Sequence, residues 1–92
     1  MSAYVVVSFT PINEDKMKEY GAAVPSILAK YSGEYLAKGP VKNLNGHDEF
    51  KMMVIITFPT REKADEWFYS DEYSAISEVR NEAMNSRFQL IG

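Results

Sequence analysis

The stretch FKMMVIITF, residues 50–58, is apolar almost throughout, and Pro59 closes it. The stretch AYVVVSFT, residues 3–10, has the same character and the same ending. Short apolar runs that are rich in β-branched residues and bounded by proline predict β-strands. Successive side chains of a strand point to opposite faces, so the unbroken runs Val5–Val7 and Met53–Ile56 predict two strands that are buried on both faces.

A first helix is predicted between these strands. Asn13 has the character of an N-cap, and apolar residues follow it at steps of three and four: Met17, Tyr20, Val24, Ile27, Leu28 and Tyr31. Pro25 lies inside this pattern, four residues after Gly21, which predicts a kink rather than the end of the helix. Ser32 and Gly33 predict a C-terminal cap.

A second strand is predicted over GEYLAKG, residues 33–39. Part of the loop that follows could extend this strand through Val41 to Leu44. Asn45-Gly46 is the strongest turn signal in the chain and predicts that the backbone reverses before the next strand.

The second helical region is predicted as two pieces with a bend near residues 69–71. Thr60 caps the first piece, and Ser70 starts the second, which runs to about Asn85. RFQLIG, residues 87–92, closes the chain as a fourth strand.

The order of elements is β-α-β-β-α-β, which predicts a ferredoxin-like α+β fold in a single domain, residues 1–92. In this topology the strands form an antiparallel sheet, the helices cover one face, and strands one and three lie at the centre. These are the strands predicted to be buried on both faces, so the second face needs a partner. We predict a homodimer that packs sheet on sheet; a monomer that tolerates a few exposed apolar residues is the alternative.

Composition argues against several classes of function. The 92 residues carry a formal net charge of −3 and contain no cysteine, so disulfides and thiolate chemistry are impossible. The ten basic residues are scattered, and the third strand lacks the displayed aromatic residues of RNA-recognition modules, so no nucleic-acid partner is expected. Neither a signal peptide nor a membrane-spanning run is evident, which predicts a cytoplasmic protein without a membrane partner.

The segment WFYSDEYSAISEVRNEA, residues 67–83, holds the main candidates for a ligand site. Tyr73 and Arg80 are two helical turns apart, and both fall on the apolar stripe of the helix. An arginine on such a stripe keeps its charge and needs carboxylates, carbonyls or a bound anion, unless its head reaches solvent. In one interpretation, Arg80 and Tyr73 bind a ligand oxygen in a pocket between helix and sheet. In the other, Arg80 is structural and binds a carboxylate or loop carbonyls of the protein itself.

Other aromatic and titratable residues add candidates. Tyr20 lies on the inner stripe of the first helix, where its hydroxyl needs a partner and could face the same cavity as Arg80. Trp67 belongs either to the core or to the wall of that cavity. His47, in the polar stretch NLNGHDEF, is either a general base oriented by a neighbouring carboxylate or a solvated loop residue. Neither a haem nor a metal site is predicted around it.

The chain resembles the domain of unknown function 1330 family (DUF1330) over nearly its whole length. The most specific likeness runs from Val54 to Arg80: an apolar strand, Phe-Pro-Thr, the motif ADEWF, the motif SDEY and an arginine seven residues after that tyrosine. The resemblance implies the dimeric α+β barrel superfamily, in which two ferredoxin-like protomers pack their sheets face to face. That superfamily includes cofactor-free monooxygenases, haem-degrading enzymes, small lyases and isomerases, and ligand binders, so no single reaction is implied.

Two positions depart from the family pattern. The family usually has Gly-Gly-Arg after the first helix, whereas this chain has Ser32-Gly33-Glu34. The family often has Glu-Gly before the third strand, whereas this chain has Asn45-Gly46. A positive charge has thus become a carboxylate, which makes Glu34 a candidate partner for Arg80.

Together these features predict a small dimer with a pocket in each protomer for a small, anionic or aromatic metabolite. Arg80 would hold the anionic group, Tyr73 and Tyr20 would donate hydrogen bonds, and Trp67 would wall the site. No cofactor is predicted, and any reaction would be a cofactor-free proton transfer or oxygenation. The alternative is a non-catalytic binding or assembly module in which Arg80 has a structural role.

Overall fold

Four strands and four helices make up the computed structural model, which describes residues 2–92. The strands are β1 (Ala3–Pro11), β2 (Glu34–Pro40), β3 (Met52–Phe58) and β4 (Met84–Ile91). The helices are α1 (Glu14–Lys30), α2 (Arg61–Phe68), α3 (Asp71–Ser74) and α4 (Ser77–Ala83). Within residues 2–92, no helix combines the length and the apolar character needed to cross a membrane.

The strands form one antiparallel sheet in the order β2-β3-β1-β4. Val7 of β1 pairs with Val54 on one side and with Phe88 on the other, so the two most apolar strands lie at the centre. The predicted ferredoxin-like β-α-β-β-α-β fold is therefore confirmed.

The helices pack on one face of this sheet. Alternate residues of the central strands join helix residues in a single core: Val5, Val7, Phe9, Val54, Ile56 and Phe58 from the strands, and Val24, Ile27, Leu28, Ala64, Trp67, Tyr73 and Ala83 from the helices. The intervening residues, among them Val6 and Ile55, point to the opposite face and are only partly buried. We call the two sides the covered face and the uncovered face.

The start and the course of α1 agree with the prediction. The Asn13 side chain accepts a hydrogen bond from the Lys16 backbone N–H at 3.0 Å, which satisfies one of the free donors of the first turn. The helix continues through Pro25 and ends at Lys30.

A Schellman motif closes the C-terminus of α1. Ser32 takes a φ of 60°, in the left-handed region, and its N–H donates to the Ala29 carbonyl at 3.3 Å. The Gly33 N–H donates to the Leu28 carbonyl at 2.9 Å. Residue 33 has no room for a side chain, because a Cβ there would lie 2.6 Å from the Phe58 ring.

The second helical region is divided more finely than predicted. Thr60 and Ser70 cap α2 and α3 as expected, each accepting a hydrogen bond from the backbone N–H three residues later. A further break separates α3 from α4, and α4 ends at Ala83 rather than near Asn85.

β4 also starts earlier than predicted, at Met84 rather than Arg87. The cause is the length of β1, which runs on to Pro11 and pairs there with Met84. The Ile12 N–H also donates to the Ala83 carbonyl at 2.8 Å. As a result α4 ends at Ala83 and β4 begins at the next residue, with no loop between them.

β2 ends at Pro40, so the extension towards Leu44 is absent. Proline has no N–H to donate to a neighbouring strand, and a strand commonly ends there. The loop that follows turns at Gly46, where φ is 90°, and the Asn43 side chain donates to the Gly46 carbonyl at 2.9 Å. β3 begins at Met52, two residues later than predicted.

Candidate functional site

A cleft of about 70 Å³ lies between α1 and the covered face of the sheet. Its floor is apolar and includes Val7 of the central strand β1. Ligand sites are usually apolar clefts of about 300–1,000 Å³ with a few convergent polar groups. This cleft has the same character but would hold only part of a ligand of that size. The polar side chains that line this cleft are Tyr20, Tyr35, Lys38 and Trp67.

Two tyrosine hydroxyls meet beside the cleft. Tyr20 of α1 and Tyr73 of α3 are joined by a hydrogen bond of 2.5 Å between their Oη atoms, and their rings meet edge to face. Burial raises the pKa of both phenols above the usual value, and the nearby Arg80 guanidinium only partly opposes this effect. Both hydroxyls are therefore protonated at neutral pH and act as hydrogen-bonding groups rather than as bases.

Trp67 forms the inner wall of the cleft and is fully buried. Its ring centroid lies 4.4 Å from that of Tyr73 and 5.5 Å from that of Phe58. Its Nε1–H has no hydrogen-bond partner within residues 2–92. A buried donor without a partner costs about 1–3 kcal/mol.

Tyr35 and Lys38 line the cleft but were not among the predicted site residues. A β-bulge shifts the register of β2 after Tyr35, so that Tyr35 pairs with Ile56 and Lys38 pairs with Val54. Both partners lie on the covered face, and both β2 side chains therefore face α1. Burial raises the pKa of Tyr35. The bulged residue, Leu36, is neither glycine nor proline, and it lies within the apolar run Tyr35–Ala37, so no specific sequence signal marks the bulge.

Arg80 is not among the residues that line the cleft. Its guanidinium carbon lies 5.6, 5.5 and 5.2 Å from the ring centroids of Phe68, Tyr73 and Phe88. Its Nε donates to the Asn81 side-chain oxygen at 3.3 Å, and no carboxylate in residues 2–92 lies within ion-pair distance. Three aromatic faces thus take the place of the expected carboxylate or ligand, which favours a structural role.

Glu34 and His47 are on the uncovered face. Glu34 pairs with Thr57 at a position of β2 that points away from the helices. Contrary to the prediction, no ion pair joins Glu34 to Arg80 in the described chain. His47 lines a separate depression that also includes Arg87 of β4.

The predicted candidates therefore separate into three groups. Tyr20 and Trp67 line the cleft, with Tyr73 bonded to one and stacked on the other. Arg80 is outside the cleft lining but stacks on Tyr73 of this group and on Phe88. The two remaining candidates are across the sheet. Within residues 2–92, no group of three His, Asp or Glu side chains is placed to hold a metal ion.

Comparison with solved structures agrees with the fold. A protein of unknown function from Rhodopseudomonas palustris matches with a TM-score of 0.78 at 14% identity, over 98% of this chain and 80% of that one. A dimeric ferredoxin-like protein of unknown function from Thermobifida fusca matches with a TM-score of 0.67 at 11% identity, over 100% and 91%. SnoaB, a cofactor-independent oxygenase from Streptomyces nogalater, matches with a TM-score of 0.69 at 12% identity, over 99% and 91%. Identities this low show a shared fold and not a shared activity.

No curated protein matches the chain. The sequence model of the domain of unknown function DUF1330 matches residues 2–92. The match includes the strand, the two aromatic motifs and the arginine between Val54 and Arg80, on which the resemblance rests. The chain therefore belongs to the DUF1330 family.

Proposed function

We propose that this protein binds a small aromatic or anionic metabolite in the cleft between α1 and the sheet. One observation carries the proposal: the buried Nε1–H of Trp67 has no partner within residues 2–92, although Trp67 lines the cleft. Buried donors in native proteins almost always have a partner. Because Nε1 is shielded from water, a ligand oxygen reaches it only when the side chains that cover it move aside.

The walls of the cleft favour a planar ligand. Tyr20, Tyr35, Trp67 and Phe88 present aromatic side chains to the same space. Aromatic rings pack well against other flat groups and add about 0.5–1.5 kcal/mol per pair beyond simple burial. The volume of about 70 Å³ is about half that of a cavity that holds benzene, roughly 150 Å³, so only one edge of a ring or a short chain is buried.

The titratable groups favour binding over catalysis. In the described part of the chain, residues 2–92, no carboxylate or histidine lines the cleft, and burial raises the pKa of the Tyr20 and Tyr35 phenols, which stay protonated at neutral pH. A reaction here would therefore be a cofactor-free proton transfer or oxygenation of a substrate that ionises without a protein base. Binding without a reaction needs no acid or base among these residues. The stacking of Arg80 on three aromatic rings also suits a non-catalytic module.

We also propose that two copies associate through their uncovered faces. Val6 and Ile55 pair with each other on the central strands and are only partly buried in the single chain. Ile91, on the same face, is 55% exposed. A second copy would remove this apolar surface from water. The Thermobifida fusca protein with this fold is described as dimeric, which supports the proposal.

The binding proposal can be tested optically, because Trp67 is the only tryptophan of the chain. Titration with small aromatic acids and neutral aromatic compounds should change its emission in a saturable way for at least one compound. The same compound should raise the melting temperature, because it binds only the folded state.

Trp67→Phe keeps most of the ring and removes the N–H group. We expect it to weaken binding of that compound about three- to tenfold, the value of one hydrogen bond, as followed by NMR titration. Tyr69→Phe is the matched control, since Tyr69 is 73% exposed and does not line the cleft. If no compound saturates the Trp67 signal, or if Trp67→Phe binds as tightly as the wild type, the proposal fails.

A further inference from the structure

The bulge in β2 decides which side chain stands at the mouth of the cleft. In a regular strand, residues three apart point to opposite faces. Here the extra residue, Leu36, lies between the pairs Tyr35–Ile56 and Ala37–Ile55, so the alternation is reversed beyond it. Lys38 consequently faces the same side as Tyr35, towards the helices.

Among residues 2–92, Lys38 is the only formally charged residue that lines the cleft. Its side chain is exposed, and no ion pair within residues 2–92 engages it. Its Nζ atom lies 5.9 Å from the ring centroid of Tyr35, a contact that holds the ammonium beside the cleft without neutralising it. The other cation of this region, Arg80, stacks on three rings and is not among the residues that line the cleft.

We infer that Lys38 makes the cleft selective for small aromatic carboxylates, with the ring against Trp67 and the carboxylate at the mouth beside the ammonium. The inference rests on the proposed binding function and assigns to Lys38 the anion contact that the sequence placed on Arg80. Tyr35, next to Lys38 at the same mouth, offers a hydroxyl to the second carboxylate oxygen.

Benzoate and benzamide are suitable probes, because they share shape and ring but differ in charge. Wild-type protein should bind benzoate about three- to tenfold more tightly than benzamide, as expected for a partly solvated ion pair with a hydrogen bond. This preference should shrink as salt is raised from low to high concentration. Both affinities can be measured by NMR titration and by the Trp67 emission.

Lys38→Met keeps the length of the side chain and removes its charge. It should abolish the preference, so that benzoate and benzamide bind with equal affinity. Lys42→Met is the matched control, because Lys42 is an exposed lysine outside the cleft lining, and it should keep the preference.

The outcomes separate the two proposals. Equal binding of benzoate and benzamide by the wild type, or a preference that survives in Lys38→Met, overturns the role of Lys38 and leaves the binding function standing. Failure of both probes to bind at millimolar concentration overturns the aromatic site itself, and with it the role of Lys38.

Discussion

Arg80 carries a full positive charge into a cluster of aromatic rings. The faces of Phe68, Tyr73 and Phe88 surround its guanidinium carbon at 5.2–5.6 Å. One cation–π contact contributes about 0.5–1 kcal/mol at an exposed site and about 2 kcal/mol when water is excluded. The stem of the side chain also covers apolar surface. The charge is thus stabilised within the chain, and Arg80 does not require a ligand.

Arg80→Ala should lower the free energy of unfolding by about 1–3 kcal/mol, because it removes the stacked cation and part of the apolar cover of α4. Urea unfolding followed by circular dichroism measures the change. Arg87→Ala is the control, because Arg87 stacks on the single ring of Phe50 and makes an exposed ion pair with Glu49. It should cost less than about 1 kcal/mol.

The two interpretations of Arg80 give opposite results. If Arg80→Ala kept the stability of the wild type and lost ligand binding, Arg80 would belong to the ligand site. A destabilised variant that still binds ligand in the folded state would support the structural role.

Among the elements, α1 ends with a residue type that does not favour the backbone conformation it adopts. The left-handed position of the Schellman motif is usually glycine, and here it is Ser32 with a φ of 60°. A side chain in the left-handed region costs about 1–2 kcal/mol, partly offset because serine loses less backbone entropy on folding than glycine.

Ser32→Gly should therefore raise the free energy of unfolding by about 0.5–1 kcal/mol. Ser26→Gly, in the interior of the same helix, is the matched control and should lower it by about 0.5 kcal/mol. Both changes can be read from the midpoint of urea unfolding. A loss of stability in Ser32→Gly would show that the serine side chain compensates for its backbone conformation.

The amino-acid sequence predicts an element boundary well when the residues that determine it are close together in the chain. Asn13, Thr60 and Ser70 cap helices with their own side chains, and all three helix starts were found. The start of β4 depends on pairing with Pro11, far away in sequence, and it was placed three residues late. The start of β3, which was placed two residues early, is likewise set by pairing with its partner strands.

Site residues whose direction depends on nearby residues were predicted, and the one whose direction depends on strand pairing was not. Helical periodicity placed Tyr20, Trp67 and Tyr73 on inward faces, and the structure brings them together. Lys38 was missed because its direction follows from a bulge, which arises in the pairing of β2 with β3 and leaves no mark in β2 alone. An inward arginine was correctly expected to need partners, but aromatic faces were not considered among them.

In the whole molecule, the sheet separates the cleft on the covered face from the residues on the uncovered face. The cleft lies on the covered face, while His47 and Glu34 lie on the uncovered face. If two copies pack through that second face, both residues belong to the surroundings of an interface. A ligand in the cleft would then be bound by one chain, independently of the contacts made by these two residues.

Ile55→Lys should convert a dimer into a monomer, because it places a charge at the centre of the uncovered face. Light scattering after size-exclusion chromatography, at micromolar protein concentration, measures the mass. Ile12→Lys is the control: Ile12 is 55% exposed and lies outside the strands, so the mass should stay that of the wild type. A wild-type protein with the mass of one chain at these concentrations contradicts the proposed association.

The pairing of the first strand with the last has a consequence for the order of the chain itself. Tyr4 pairs with Ile91, and a Cβ added to Gly92 would lie 3.0 Å from the carbonyl oxygen of Ser2. A short linker could therefore join residues 92 and 2, and new termini could be opened at the exposed turn around Gly46. Such a circular permutant keeps every strand pair of the sheet. The β1–β4 pair, which now spans the greatest separation in sequence, would become a hairpin and one of the most local contacts of the fold.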